Sequence, residues 1–390
     1  MTLPPKPAVR PGNPRFASGP CPKPPGWEAS KLASALTGRY HRSKAGAERL
    51  QRLVQKTRKL LEIPATHRIA ILPGSDTGAM EAAMWNLLGP RGVDILAFDL
   101  FGHEWARDVA EQLRLADVRA LKAPYGEIPD LAAVDFARDV VFTWTGTTAG
   151  TCVPGEAWIA PDRTGLTICD ATAAVFAAEL PWAKLDAATF SWQKAMGGEA
   201  QHGMLVLGPR AVERIETHAP AWPVPKLFRL TRDGALDPML WEGGVVNTPS
   251  MLCVEDALLS LAWIEKIGGL PAMIARARAN RAVLDAWIGK SRWAEHLARD
   301  PETRPNTPVA MRLSGPEIDG ASDDEKRRIA TAIATLLESE AVAFDIAAFR
   351  TAPPGLRLWT GGTVELSDIA ALPPWLDWAF EQVKTKEKTR

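Results

Sequence analysis

Tyrosine occurs twice and cysteine four times in 390 residues, and neither sign of charge is in excess, since 46 Lys and Arg balance 46 Asp and Glu. Each scarcity narrows what the chain does. The cysteines, at positions 21, 152, 169 and 253, form no C-x-x-C pair. That argues against a zinc ribbon or a thioredoxin-like site and suits a reducing cytoplasm. A net charge of zero gives no general attraction to nucleic acid or to an anionic membrane. No apolar run approaches the length of a membrane span, and the Pro- and Lys-rich first 25 residues lack the apolar centre of a secretory signal. The expectation is a cytoplasmic protein with no nucleic-acid and no membrane partner.

Apolar residues are plentiful at 46%, enough for a large core, and charged residues at 24% are ordinary for a globular protein. The length points to two domains. Residues 1–27 read as an irregular Pro-rich arm, with the turn Ser18-Gly19-Pro20. Residues 45–61 carry a helical pattern. Short apolar runs at 67–72, 93–98, 140–143, 166–169, 188–192 and 204–207 then read as strands, with helices at 78–88 and 103–113 between the early ones. Such alternation predicts an α/β fold with a mainly parallel sheet covered on both faces. Two long helices follow at 249–267 and 270–288, punctuated by Gly268-Gly269. Beyond them a strand–helix–strand–helix pattern (308–313, 322–337, 355–359, 366–383) predicts a small α+β domain, so the expected division is 28–269 and 270–390. The charged tail from Lys384 is expected to fray.

Three local patterns carry chemistry. In Ser191-Trp192-Gln193-Lys194-Ala195-Met196-Gly197-Gly198 a lysine stands at the end of an apolar strand, just ahead of two glycines. A lysine that bonds covalently to a carbonyl cofactor needs that rigid base, a partly desolvated amine and a close backbone turn. In Leu166-Thr167-Ile168-Cys169-Asp170 a second strand ends in an acid, 24 residues before Lys194. An acid so placed can keep a pyridine nitrogen protonated. In Gly74-Ser75-Asp76-Thr77-Gly78 small and hydroxylated residues open a helix, the form of a phosphate cradle. Each has a bland counterpart: a surface lysine, a turn-capping Asp and an ordinary Gly-rich turn. Their order is what distinguishes them.

With these motifs in that order the chain resembles the pyridoxal phosphate (PLP) dependent aminotransferases of fold type I. It is most similar to the phosphoserine aminotransferase family of class V, over about residues 16–380. The likeness is carried by Arg39-Tyr40-His41-Arg42, residues 74–88, Thr147, Asp170, Gln193-Lys194 and Asn247-Thr248-Pro249. It implies a large PLP-binding domain with a seven-stranded sheet, a small C-terminal domain and a homodimer with shared active sites. Lys194 then holds the cofactor covalently and shuttles the substrate's α-proton. Asp170 binds the pyridine nitrogen, and Thr147 the phenolic oxygen. Asp76 and Thr77 offer backbone N–H groups to the cofactor phosphate, which Gln193 also reaches. Trp105 stacks on the ring, with Phe101 as rival. Asn247 and Thr248 complete the phosphate site from the neighbouring subunit. His41 and Arg42 meet the substrate's anionic groups, and Arg357 its α-carboxylate. No metal is implied. The chain departs from the common family pattern where Asp76-Thr77 replaces Gly-Arg and where Phe349-Arg350 replaces His-Arg.

The implied reaction converts 3-phosphohydroxypyruvate and L-glutamate to O-phospho-L-serine and 2-oxoglutarate, serving serine and also pyridoxine biosynthesis. Other readings are available. A serine–glyoxylate-type aminotransferase uses the same fold. A cysteine desulfurase needs a late catalytic cysteine, and the last one here is Cys253. A doubly wound nucleotide-binding oxidoreductase leaves the Asp170–Lys194 spacing unexplained. An interaction module would need exposed tryptophans among the 15 present.

Overall fold

Runs of Val, Ile, Leu and Ala with no polar alternation are the signature of strands buried on both faces. Seven strands assemble from this chain: β1 (Arg68–Pro73), β2 (Val93–Ala97), β3 (Val118–Lys122), β4 (Asp139–Thr143), β5 (Thr167–Asp170), β6 (Ala187–Ser191) and β7 (His202–Leu207). The computed structural model describes residues 4–241 and 243–388; the ends of the expected arm and tail, 1–3 and 389–390, lie outside these. The sheet order is β1-β7-β6-β5-β4-β2-β3. Neighbours from β6 to β3 pair in parallel, while β7 runs antiparallel to both β6 and β1. Six strands thus share one direction, which meets the expectation of a mainly parallel seven-stranded sheet. Every residue of β2, β4, β5, β6 and β7 is buried.

Helices cover both faces. α1 (Lys44–Leu60) starts at Ser43, whose side chain accepts from the Gly46 N–H, and buries Leu50, Leu53, Val54, Thr57 and Leu60 along one stripe. Each fully buried large apolar side chain of this kind stabilises the fold by about 1.5–3 kcal/mol. α2 (Ser75–Leu87) is buried nearly all round and packs across β1, β6 and β7. α3 (Leu100–Arg107) begins three residues earlier than the expected 103–113. Its cap is Asp99, which accepts from the Gly102 N–H at 2.9 Å. A π-helical turn, Asp108–Gln112, continues α3.

Three of these strands and helices went unread in the sequence: β3, α4 (Pro209–Thr217) and a short strand at Ala294–His296. β3 is a half-exposed edge strand, and α4 opens on a proline at its first position. α5 (Met251–Ile267) and α6 (Gly269–Ile288) meet at Gly268, whose φ of +113° suits glycine. The C-terminal part adds an antiparallel sheet of β8 (Ala294–His296), β9 (Val309–Leu313) and β10 (Gly355–Leu358). α7 (Asp323–Ser339), closed by a Ser322–Glu325 capping box, and α8 (Leu366–Lys388) complete it. The expected fraying from Lys384 is not seen: α8 continues through Lys388. No single helix among the described residues is long and apolar enough to cross a membrane. None of the 15 tryptophans is exposed, which removes the interaction-module reading.

Candidate active site

In a mainly parallel sheet the strand C-termini form the edge where ligands bind. β4, β5 and β6 end side by side here: Thr143 is opposite Asp170, and Asp170 opposite Thr189. The Asp170 carboxylate accepts from the Thr172 N–H at 3.0 Å. Three residues beyond β6, Lys194 enters a tight turn in which Gly197 N–H donates to the Lys194 carbonyl at 2.9 Å and Gly198 N–H to that of Trp192 at 2.8 Å. Gly197 has φ +72°, and a Cβ there would lie 2.8 Å from the Pro22 carbonyl oxygen, so both the turn and a passing segment require glycine.

That segment is the N-terminal arm. Cys21 N–H donates to the Gln193 carbonyl at 2.8 Å, and Lys194 Nζ donates to the Ser18 carbonyl. Lys23 and Trp27 fasten the arm by donating to the buried Asp256, both at 2.8 Å. The arm therefore forms one wall of the site, a role the sequence reading missed.

Lys194, Asp170, Asp76, Thr77, Thr147, Gln193, Trp105 and Phe101 line one cavity of about 280 Å³, together with Gly19, Pro20 and Thr172. Eight of the expected residues are thereby brought together. Phe101 and Trp105 both reach the cavity, one turn apart on α3. The first turn of α2 projects into it. Ser75 N–H donates to the Gln201 carbonyl and Gly78 N–H to that of Gly74, leaving the N–H groups of Asp76 and Thr77 for a ligand. Several buried polar atoms around the cavity have no partner: Asp76 Oδ1, Trp105 Nε1, Thr172 Oγ1 and Gln193 Oε1. A helix N-terminus, an amine, an acid and flanking aromatics match the phosphate, aldehyde, ring nitrogen and ring of PLP. The residues present fit that cofactor. No group of three or more His, Cys, Asp or Glu side chains among the described residues could hold a metal ion.

The electrostatics favour a reactive amine. Burial pulls the Lys194 pKa below its usual value and Arg357 adds to this, while the charges of Asp170 and Asp99 oppose it. Burial pushes the Cys21 thiol up to about 12, which keeps it neutral. Asp99, behind the site, is raised to about 7, first by burial and further by the charge of Asp170.

Arg357, on β10, is not among the residues lining the cavity but touches one that is, donating to the Thr147 carbonyl at 3.3 Å, and it lies 5.8 Å from the Phe349 ring centre. Arg350 is exposed. Asn247 and Thr248 are also exposed and take no part in the cavity of their own chain. His41 and Arg42 are likewise elsewhere, in a separate cleft of about 840 Å³ lined by Lys226, Arg229, Arg232 and Gly243 to Val246. His41 is buried, its Nε2 is unpartnered, and burial followed by Arg42 lowers its pKa.

No family model matches the chain. It is 48% identical to the phosphoserine aminotransferase of Methanosarcina mazei over 379 residues, 97% of this chain and 100% of that one. The phosphoserine aminotransferase structure from Cytophaga hutchinsonii superposes with a TM-score of 0.79 at 18% identity, covering 94% of this chain and 98% of that one. The PLP-bound enzyme of that name from Trichomonas vaginalis gives 0.74 at 16% identity over 93% and 99%. These structural likenesses establish the PLP fold-type-I architecture.

Proposed function

The chain belongs to the phosphoserine aminotransferase family, and from that premise we propose that it moves the amino group of L-glutamate to 3-phosphohydroxypyruvate, giving O-phospho-L-serine and 2-oxoglutarate. It is a PLP-dependent transaminase. The observation that carries the reading is the single cavity shared by Lys194, Asp170 and the first turn of α2. Bound there, PLP supplies a carbonyl carbon that accepts the amino group and a ring that withdraws electrons from the substrate's α-carbon.

The protein's own groups do the rest. Lys194 would hold the cofactor through its amine and, once released, would carry the proton to and from the substrate α-carbon. Asp170 keeps the ring nitrogen protonated. Thr147 would donate to the phenolic oxygen, and Trp105, or Phe101 one turn before it, would stack on the ring. The N–H groups of Asp76 and Thr77, with Gln193, hold the phosphate. Arg357 takes the α-carboxylate common to both substrates. In this reading residues 28–269 form the cofactor-binding domain, 270–390 the small domain that brings Arg357, and the enzyme works in the cytoplasm.

The residues left out of the cavity are explained by a homodimer. Asn247 and Thr248 are exposed, and the nearby cleft holds His41 and Arg42. Tyr40, Leu227, Met239 and Leu252, which flank these positions in sequence, are among the few large hydrophobic residues left exposed among the described residues. A second copy would cover this surface and receive these groups in its own active site. Arg42 and His41 would then read the substrate phosphate, since a dianion leaving water needs forked cationic donors. The four-carbon phosphorylated keto acid of pyridoxine biosynthesis presents the same groups and is proposed as a second substrate. The test is a coupled assay comparing phosphohydroxypyruvate with hydroxypyruvate and glyoxylate. Preference for the phosphorylated acid is expected. Equal or better use of the unphosphorylated acids would move the chain to the serine–glyoxylate type.

A further inference from the structure

The cavity contains one acid more than the reading above uses. Asp170 accounts for the ring nitrogen. Asp76 stands next to it on the first turn of α2, only 7% exposed, with its carboxyl against that of Asp170 and against the hydroxyls of Thr172 and Thr189. Its Oδ1 finds no donor, and its own backbone N–H is one of those assigned above to the cofactor phosphate. A carboxylate at this point would be repelled by Asp170 on one side and by a phosphate dianion on the other. Among the described residues no cation forms an ion pair with it, and Lys194 is balanced by Asp170 and Asp99. The remaining ionisable neighbour is Cys169, a buried thiol kept neutral by burial. Two carboxyls so close and so poorly hydrated do not both ionise.

We infer that Asp76 is a neutral carboxylic acid that shares its proton with Asp170, so that the pair carries one negative charge beneath the cofactor's ring nitrogen. The inference rests on the placement of Asp170 proposed above. Burial, and then the charge of Asp170, push the Asp76 carboxyl well above the ordinary range, in the same direction as the geometry. Asp76 is thus a positioning residue. It orients the Asp170 carboxylate by donating to it, and it keeps negative charge away from the phosphate end of the site. The common family pattern, with Gly-Arg at these two positions, has no acid there.

Infrared difference spectra of the full-length holoenzyme test this directly. At neutral pH the wild type should show the carbonyl stretch of a protonated carboxylic acid, shifted in heavy water. The measurement is made in an Asp99→Asn background, which removes the other carboxyl raised to about 7; there the band should be present and should vanish when Asp76→Asn is added. A second measurement uses the full chain freed of cofactor and pyridoxine 5′-phosphate, which lacks the aldehyde and cannot bond to Lys194. Asp76→Asn keeps the donor and the neutrality, so it should bind this probe as the wild type does at neutral pH. In alkali the wild type should lose about tenfold in affinity relative to Asp76→Asn, as one further charge forms beside the phosphate. An acid band that survives Asp76→Asn in the Asp99→Asn background, or a tenfold gain in affinity of Asp76→Asn at neutral pH, overturns the inference. Asp170→Asn separates the two layers. If it alters neither band nor binding, the placement of Asp170 falls and the inference with it. If it weakens binding while the band is indifferent to Asp76→Asn, only the inference falls.

Discussion

Arg357 is a cation with too few partners. One guanidinium nitrogen donates to the Thr147 carbonyl at 3.3 Å, its Nε has no acceptor, and among the described residues no carboxylate forms an ion pair with it. Burial lowers its pKa, opposed by the charge of Asp99. Arg357 is half-buried; a charge partly withdrawn from water without a carboxylate partner works against the fold, and an apolar chain of similar length in its place removes that penalty. Arg357→Met should therefore leave the melting temperature unchanged or raise it by a few degrees. Binding should suffer in the opposite sense, because the α-carboxylate of either substrate loses a charged hydrogen-bond partner worth about 1.5–3 kcal/mol, or about 10- to 150-fold in KM. Glutamate and the keto acid should be affected alike, since each presents the same carboxylate, and the cofactor absorbance should not change. Steady-state kinetics for each substrate and a thermal melt of the same preparation are the assay. A melting point several degrees lower with both KM values intact would show that Arg357 holds β10 in place and does not receive substrate.

Lys194→Ala should abolish turnover, and borohydride reduction of the wild type should tag the peptide containing Lys194; a tag on another lysine would end the assignment. Mixing Lys194→Ala subunits with subunits carrying Asn247→Ala and Thr248→Ala should restore activity, because each heterodimer has one intact composite site; no recovery after confirmed subunit exchange would argue against sharing. Asp99 titrates near 7 in the fold against 3.8 outside it, so its contribution to stability is complete at acid pH and is lost as pH rises through about 7. Asp99→Asn, which keeps an acceptor for Gly102, should show a shallower decline in urea-melt stability over that window, and identical slopes would refute the account.

The buried strands were legible because a parallel sheet covered on both faces leaves continuous apolar runs in the sequence. β3 was not, because it is held at the edge by charge: Arg119 Nε donates to the buried Asp94 of β2 at 2.7 Å, and such pairing leaves no hydrophobic pattern. The start of α3 was misread because Asp99 lies in the apolar stretch that closes β2, where an acid looks like a strand end and not a cap. Lys194 and Asp170 were legible by spacing, whereas the arm was not. The contact of Lys194 with the Ser18 carbonyl joins residues 176 apart, and nothing local in a Pro-rich segment announces what it will lie against.

The departures from the family pattern gain a physical meaning from where the cations lie. Arg357 touches Thr147, which lines the same chain's cavity, while Arg42 and His41 open onto a separate cleft beside the exposed Asn247 and Thr248. If each chain lends the second group to its partner, the substrate's two anionic ends are read by two different subunits. The carboxylate, common to every amino acid, would be held by the chain that also carries Lys194. The phosphate, which distinguishes the substrate, would be held from across the interface. Loss of the Gly-Arg arginine at Thr77 then subtracts a cation from the cofactor end only, and a neutral Asp76 is what makes that subtraction tolerable. Discrimination for a phosphorylated substrate becomes a property of the assembly, whereas cofactor attachment depends largely on one chain.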